Sequence, residues 1–464
     1  MFSPEFSLLL SRASAAVSWR AWEFVAALIL SDLYPDSLTL VAAFGLTDTF
    51  VQIVTGSALG SYVDRTERYK SAVNMYIVQH VLICASALSA AGAFFFDPNS
   101  IGRASLSAIV VATGVLAGAG STGSALSVEQ VWVVALCGTN KEALTNLNSK
   151  MRAVDLAALL LAPLAAAAAL QFTNSFVFVI GFAIYSGISF FPEVFLLQLA
   201  RNALSKRLSA EKLAIETISS ESDDKKIEIV STEKDSSVKV HQSFLFKSLS
   251  NPIILYAKQP SVLLMLALAI LYFTVLSFHG VMTVYLKAEG SSDVTISAFR
   301  GAGAIFGILS TAVFPFTTAY ISLPTLSAIS VLFQLFFVTL GAIPLSFNIL
   351  LSRYLLLNLF QGFIAVSRFG LWLADLSISQ FTQETTSADV LGSVQGTQRS
   401  VCAAFELLSY VITLIYSDPS QFSILMLSSL AAVTLSGVIC FYYALTTHKT
   451  LLHTSLIEVP LLQE

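Results

Sequence analysis

Charge is what this chain has least of. Only 12% of its 464 residues are Asp, Glu, Lys or Arg, while 55% are hydrophobic. A soluble domain carries roughly 25% charged residues, so this chain was not built to face water. Cysteine is sparse as well. Cys84, Cys137, Cys402 and Cys440 lie far apart and mostly within apolar runs, which excludes a disulfide framework or a metal knuckle and reads as buried, inert thiols. The five histidines, at 80, 241, 279, 448 and 453, do not gather in one membrane segment apart from the terminal pair. An intramembrane enzyme would need such a cluster, or a nucleophile with its base, so no enzyme is expected. The opening MFSPEFSLLLSRASAA lacks a basic n-region, a clean apolar h-region and a cleavage site, and lacks the Arg/Ser richness of a transit peptide. The first span is therefore read as retained. The net charge of −4 decides little, because the charges sit in loops and cancel locally; no nucleic-acid partner is expected.

What the chain does have is apolar length. A span takes about 20 apolar residues. Such windows fall at 14–33, 38–62, 71–96, 104–135, 146–171 and 175–200, then resume at 260–286, 293–316, 321–343, 348–380, 392–416 and 421–446. The connectors YPDS, DPNS and SDPS carry turn residues. This predicts an all-α polytopic membrane protein with 12 transmembrane helices in two six-helix halves, residues 1–200 and 259–447, joined by a linker at 201–258 and followed by a tail at 448–464. The linker is polar, charged and serine-rich, which predicts a largely disordered tether. Lys and Arg concentrate in the loops after spans two and four (Arg65, Arg68, Lys70; Lys141, Lys150, Arg152) and in the linker. By the positive-inside rule those loops, the linker and both termini face the cytoplasm. Six spans, a cytoplasmic linker and six more is the layout of the major facilitator superfamily, whose halves are related by an axis along the membrane normal. GSALGSYVDRTERYK resembles that superfamily's signature between spans two and three. There Gly56 and Gly60 have the spacing for close helix approach, and Asp64 with Arg65 suit a latch on the cytoplasmic gate.

Polar groups inside the spans carry the functional argument, because a buried Arg or Asp costs roughly 2.5–3.5 kcal/mol on insertion scales. Arg368 and Asp375 are seven apart, two helical turns, and share a face. They are expected to line the bundle interior and to pair with each other. Gln380 and Gln383 share a strip nearer the cytoplasmic end. Glu23, Gln79, His80, Asp155, Glu193, His279 and Glu406 complete the set. Glu23 and His279 sit in the first helix of each half, where interrupted helices mark a transporter's binding site, and Gly280 would let span seven unwind. Carboxylates, an amide and an imidazole without clustered thiolates suit a borderline divalent transition metal. The competing reading is an organic-solute or drug facilitator of the same fold, with Arg368 and Asp375 as a proton relay.

The stretch RFGLWLADLSISQFTQE resembles the ferroportin family, cellular exporters of ferrous iron, through its Arg-x-Gly-Leu-Trp-x-x-Asp-Leu pattern and following glutamines, with Gln398 in the next helix. WEFVAALILSDLYPDSL, LNSKMRAVDLAALLLAP and LYFTVLSFHGVMTVYLKAEG extend the likeness across both halves, and the wording is nearest to plant-type members. The resemblance implies export of Fe²⁺, with Co²⁺ or Ni²⁺ as alternatives, by a monomer set in membrane lipid, at the plasma membrane or at a vacuolar or other organelle membrane. It implies metal ligands at Asp155, Asn148, Gln79 and Glu193 in the first half. This chain departs from the animal pattern at Trp19, where an aspartate is expected, and at Glu23, which replaces a histidine. In the second half His279 replaces an aspartate, Gly280 the cysteine that binds metal and hepcidin, and Ser409 a histidine, with Glu406 one turn before it. Control by hepcidin is therefore not expected, and His279 and Glu406 are the candidate replacement ligands. Another family string is reduced to Glu129-Gln130-Val131-Trp132.

Overall fold

The structure, a computed structural model, describes residues 3–35, 37, 39–221, 252–278, 280–346, 352–416, 418 and 421–457. Helix α1 (Pro4–Leu33) begins where Ser3 Oγ accepts from Phe6 N at 3.1 Å and Pro4 takes the first turn, a position that needs no N–H. The first half continues with α2 (Thr39–Arg65), α3 (Arg68–Ala93) and α4 (Ile101–Ala125). A π-helical turn, Leu126–Trp132, prolongs α4 into α5 (Val133–Cys137), and α6 (Lys141–Gln171) and α7 (Ser175–Glu221) follow. The second half comprises α8 (Pro252–Ala257), α9 (Val262–Leu271), α10 (Gly280–Ala288), α11 (Asp293–Thr318), α12 (Leu323–Ser346), α13 (Arg353–Thr385), α14 (Leu391–Ile415) and α15 (Phe422–Ile457).

Among the described residues eleven helical stretches are long and apolar enough to cross a membrane. The twelfth span is α9 and α10, one line of chain interrupted between Leu271 and Gly280. Each half packs its own core, around Trp22, Ile29 and Ile83 in the first and around Met282, Phe360 and Met426 in the second. Outside these cores Phe191, Leu164 and Val438 are 69%, 60% and 59% exposed. An apolar periphery of that kind wants hydrocarbon as its solvent, and only helices or closed barrels satisfy their backbone there. This is an integral, multi-pass helical membrane protein.

Two expectations change. The first span starts at Pro4, ten residues before the apolar window, because Ser7, Ser11 and Arg12 are buried inside the half and hydropathy alone scores them as surface. The stretch 201–258, expected to be a largely disordered tether, is helical at its described ends, since α7 runs on to Glu221 and α8 occupies Pro252–Ala257. Residues 222–251 lie outside the described residues, as do the tail residues 458–464.

Candidate functional site

In the first half one aspartate is shared by three arginines. Asp155 on α6 faces Arg12 (3.6 Å) and Arg20 (3.8 Å) from α1 and Arg152 (3.9 Å) from its own helix. Arg12 is held in turn by Glu129 at 2.5 Å, and Arg20 by Glu23 at 3.1 Å. Glu129 sits within the π-helical turn, whose wider winding turns that carboxylate inward toward α1 while Trp132 donates to the Arg68 carbonyl at 3.1 Å. Such turns recur at functional sites. Deeper in the same half Glu193 and His80 form a second buried unit. His80 bonds Glu193 Oε2 at 2.7 Å and Ser186 Oγ at 2.9 Å, and Ser14 donates to Glu193 Oε1 at 2.8 Å. Gln79 is spent on the Ala15 carbonyl at 2.9 Å and on Ser124.

In the second half the break between α9 and α10 frees backbone groups that hydrocarbon could not satisfy, and side chains take them up. Ser429 accepts from Val275 N at 3.0 Å, Thr274 from Leu276 N at 3.1 Å, and the Leu276 carbonyl accepts from the Arg368 guanidinium. Beside the break lies a cavity of about 190 Å³ walled by Tyr272, Ser277, Arg368, Asp375, Glu406 and Tyr410. Tyr410 donates to Glu406 at 3.2 Å. Across the half-to-half boundary Glu406, Glu23 and Asp48 of α2 lie near enough to act on one another's charge. Asp48 accepts from Gln52 at 2.7 Å through one oxygen, while its other oxygen is buried without a partner.

One end of the bundle is shut by contacts between the halves. Arg152 pairs with Asp375 of α13 and lies 5.4 Å over the Trp372 ring. Asn148 donates to Gln383 at 2.6 Å, and Gln383 donates to Gln130 at 2.7 Å. Gln380 donates to Thr145 at 2.7 Å, and Lys141 meets Glu384 at 2.9 Å. On the other side of the seam α2 and α14 touch backbone to backbone. A Cβ on Gly60 would stand 2.1 Å from the Gly392 carbonyl oxygen, and one on Gly396 2.3 Å from that of Gly56. Asp64 caps α14, accepting from Gly392 N at 2.7 Å and from Ser393 N and Oγ at 2.6 Å.

A family model described as Ferroportin1 (FPN1) matches residues 3–433. The chain belongs to the ferroportin family. Among relatives, "Solute carrier family 40 member 1" of Oryza sativa subsp. japonica is 28% identical, over 94% of this chain and 89% of its own length. A bacterial homologue of iron transporter ferroportin, solved in an outward-facing state, superposes with a TM-score of 0.75 at 24% identity, covering 96% of this chain and all of the homologue. Its inward-facing state gives 0.59 at the same identity, over 95% of this chain and 98% of the homologue. The proton:xylose symporter XylE, of the major facilitator superfamily, gives 0.62 at 14% identity, over 96% of this chain and 95% of XylE, a likeness of fold alone. The two-half major facilitator architecture is thereby shown for this ferroportin relative.

Within this family frame the expected site residues fall into three groups. Glu406 lines the cavity beside the α9–α10 break, and Glu23 pairs with Arg20. Asp155, Gln79, Glu193 and Asn148 are each engaged by protein partners. His279 lies outside the described residues. Among the described residues no three of His, Cys, Asp and Glu are close enough to hold a metal ion. Arg368 and Asp375 line one cavity, as their shared face implies, but the expected pair between them does not form. Arg152 reaches Asp375 from the other half, and the carbonyl freed at the break takes Arg368. Span one, by contrast with span seven, is unbroken, since α1 is continuous through Glu23. Gln398 is structural, accepting from Tyr256 at 2.8 Å and donating to the Met265 carbonyl at 3.0 Å. The residues sequence reasoning passed over are Asp48, Arg12, Arg20 and the partnership of Arg152. An aspartate with a glutamine one turn on, in the middle of a span, was the available signal for Asp48.

Proposed function

We propose that this protein exports a divalent transition metal from the cytoplasm by alternating access, ferrous iron first and Co²⁺ or Ni²⁺ as alternatives. What supports the reading is membership of the ferroportin family, together with acids placed within the spans of both halves, Asp48 with one oxygen buried and unpartnered in the first and Glu406 on a cavity wall in the second. Oxygen donors without thiolate suit a hard-to-borderline divalent ion, and each half supplying part of the set lets rocking of the halves assemble and disperse it. In this reading the shut end, with Asp64, Lys141 and the Arg152–Asp375 pair, is cytoplasmic. Both termini lie on that side, and the working unit is a monomer in the plasma membrane. Asp155 then serves as the anchor of an arginine cluster, with His279 and Glu406 as second-half ligands.

Reconstitution tests this directly. Liposomes holding the purified protein should take up Fe²⁺, Co²⁺ or Ni²⁺ in preference to Mn²⁺ and Zn²⁺, and Glu406→Gln together with Asp48→Asn should remove most of that flux. Flux of a sugar or a dye with no metal flux would replace the reading with the organic-solute facilitator.

A further inference from the structure

A cavity of about 1130 Å³ opens at the shut end of the bundle, between α6 of the first half and α11, the α11–α12 turn and α13 of the second. Four charged side chains line it. Lys141 meets Glu384 at 2.9 Å, and Gln380 donates to Glu384 at 2.9 Å as well, so these two charges offset each other. Glu142 and Lys150 are exposed, and among the described residues neither has an ion-pair partner. Their order along α6 is as informative as their exposure. Glu142 stands in the first turn, and Lys150 follows eight residues on, about 12 Å further along the axis toward the middle of the span. Deeper than Lys150 the lining carries no charge, with Ala153 of α6 and Ala312 and Pro315 of α11 forming the floor. Phe316 and Tyr320, both largely exposed, stand on the wall near the end of the bundle, where aromatic side chains mark the boundary between hydrocarbon and water.

From the end of the bundle inward the wall thus runs carboxylate, ammonium, apolar. An ethanolamine phospholipid runs ammonium, phosphate, acyl chain in the same direction, so each charge meets its opposite and the chain meets the apolar floor. A choline headgroup has no N–H to donate to Glu142, whereas a primary ammonium donates three. A glycerol headgroup leaves Glu142 without a counter-charge, and a serine headgroup sets a second carboxylate beside it. We propose that this cavity binds one phosphatidylethanolamine molecule, with its phosphate on Lys150 and its ammonium on Glu142. Both halves wall the cavity, so the lipid binds this arrangement in preference to one in which they part there. It therefore shifts the population toward it. The proposal does not depend on which cargo is carried.

Native mass spectrometry tests the site on the full chain, released from micelles that hold phosphatidylethanolamine, phosphatidylcholine and phosphatidylglycerol in equal amounts. One retained phosphatidylethanolamine per chain is expected, favoured about three- to fivefold over phosphatidylcholine, the upper range for an exposed ion pair. Glu142→Gln should erase that preference and leave phospholipid retention in place. Lys150→Gln should lower retention of all three lipids. Both side chains are exposed, and substitutions at such positions leave a fold intact. Equal retention of the three lipids by the parent, a preference for phosphatidylglycerol, or a preference for phosphatidylethanolamine that survives Glu142→Gln would overturn the site.

Discussion

At the scale of single residues Arg12, Arg20 and Arg152 are committed to carboxylates, and the identity of the partners is what the sequence hid. Arg368 and Asp375 were legible as a pair because helical spacing puts them on one face, and they do share a cavity wall. Spacing within one helix cannot reveal that Arg152, in the other half of the chain, arrives at the same carboxylate. Glu23 and Glu406 were legible as ionisable groups too costly to bury without purpose. Asp48 carries the same signal but sits beside Gln52 in an otherwise ordinary span, and passed unnoticed. The revised partnership makes a prediction that separates the two readings. Breaking a buried ion pair from one side leaves an uncompensated charge and costs about 3–5 kcal/mol. Arg152→Ala and Asp375→Ala should each lower folded yield or transport sharply, while the double variant costs less than the sum, with a coupling on the order of 1–3 kcal/mol. Arg368→Ala combined with Asp375→Ala should be close to additive. Coupling in the second cycle and none in the first would restore the intrahelical pair.

Elements were legible in proportion to how much of their side-chain surface faces lipid. Long apolar windows located the spans, and Gly280 after SFH correctly marked the interruption of the seventh, which the structure places between Leu271 and Gly280. Helix ends that carry buried polar residues were missed, since Ser11 and Arg12 look like surface to a hydropathy window. The glycine spacing of α2 announced close approach but not its partner, which is α14, met at Gly392 and Gly396. That contact leaves no room for a side chain, and Asp64 fixes its register by capping α14. A capping carboxylate contributes about 1 kcal/mol, whereas a Cβ driven into a carbonyl oxygen cannot be accommodated without parting the helices. Gly60→Leu should therefore open the seam fully and Asp64→Ala partly. A cysteine placed at Thr397, only 3% exposed in the seam, reports this in a background freed of the four natural thiols. Water-soluble maleimide added on the linker side should label it slowly in the parent, faster with Asp64→Ala and fastest with Gly60→Leu. Equal labelling in all three would mean that the α2–α14 contact does not govern access.

For the whole molecule, two halves each with its own core meet across contacts that are polar, glycine-lined and concentrated at one end. Bodies of that kind can separate without unfolding, because little apolar core is shared between them. The chain superposes better on the outward-facing homologue than on its inward-facing state, with TM-scores of 0.75 against 0.59. If rocking about the seam is the transport cycle, fastening the seam must stop transport without disturbing either half. Ser57 and Thr397 provide the place, since their side-chain oxygens are 3.3 Å apart across α2 and α14, and a disulfide needs its two Cβ atoms about 3.5–4.5 Å apart. Ser57→Cys with Thr397→Cys, in the same thiol-free background, should transport metal when reduced and fall to the level of empty liposomes once oxidised. Reduction should restore the flux. Cation binding from the open side should survive the crosslink, because Glu23, Asp48 and Glu406 lie outside it. Undiminished flux through fully crosslinked protein would show that the α2–α14 seam stays closed throughout the cycle, and that the halves move about some other contact.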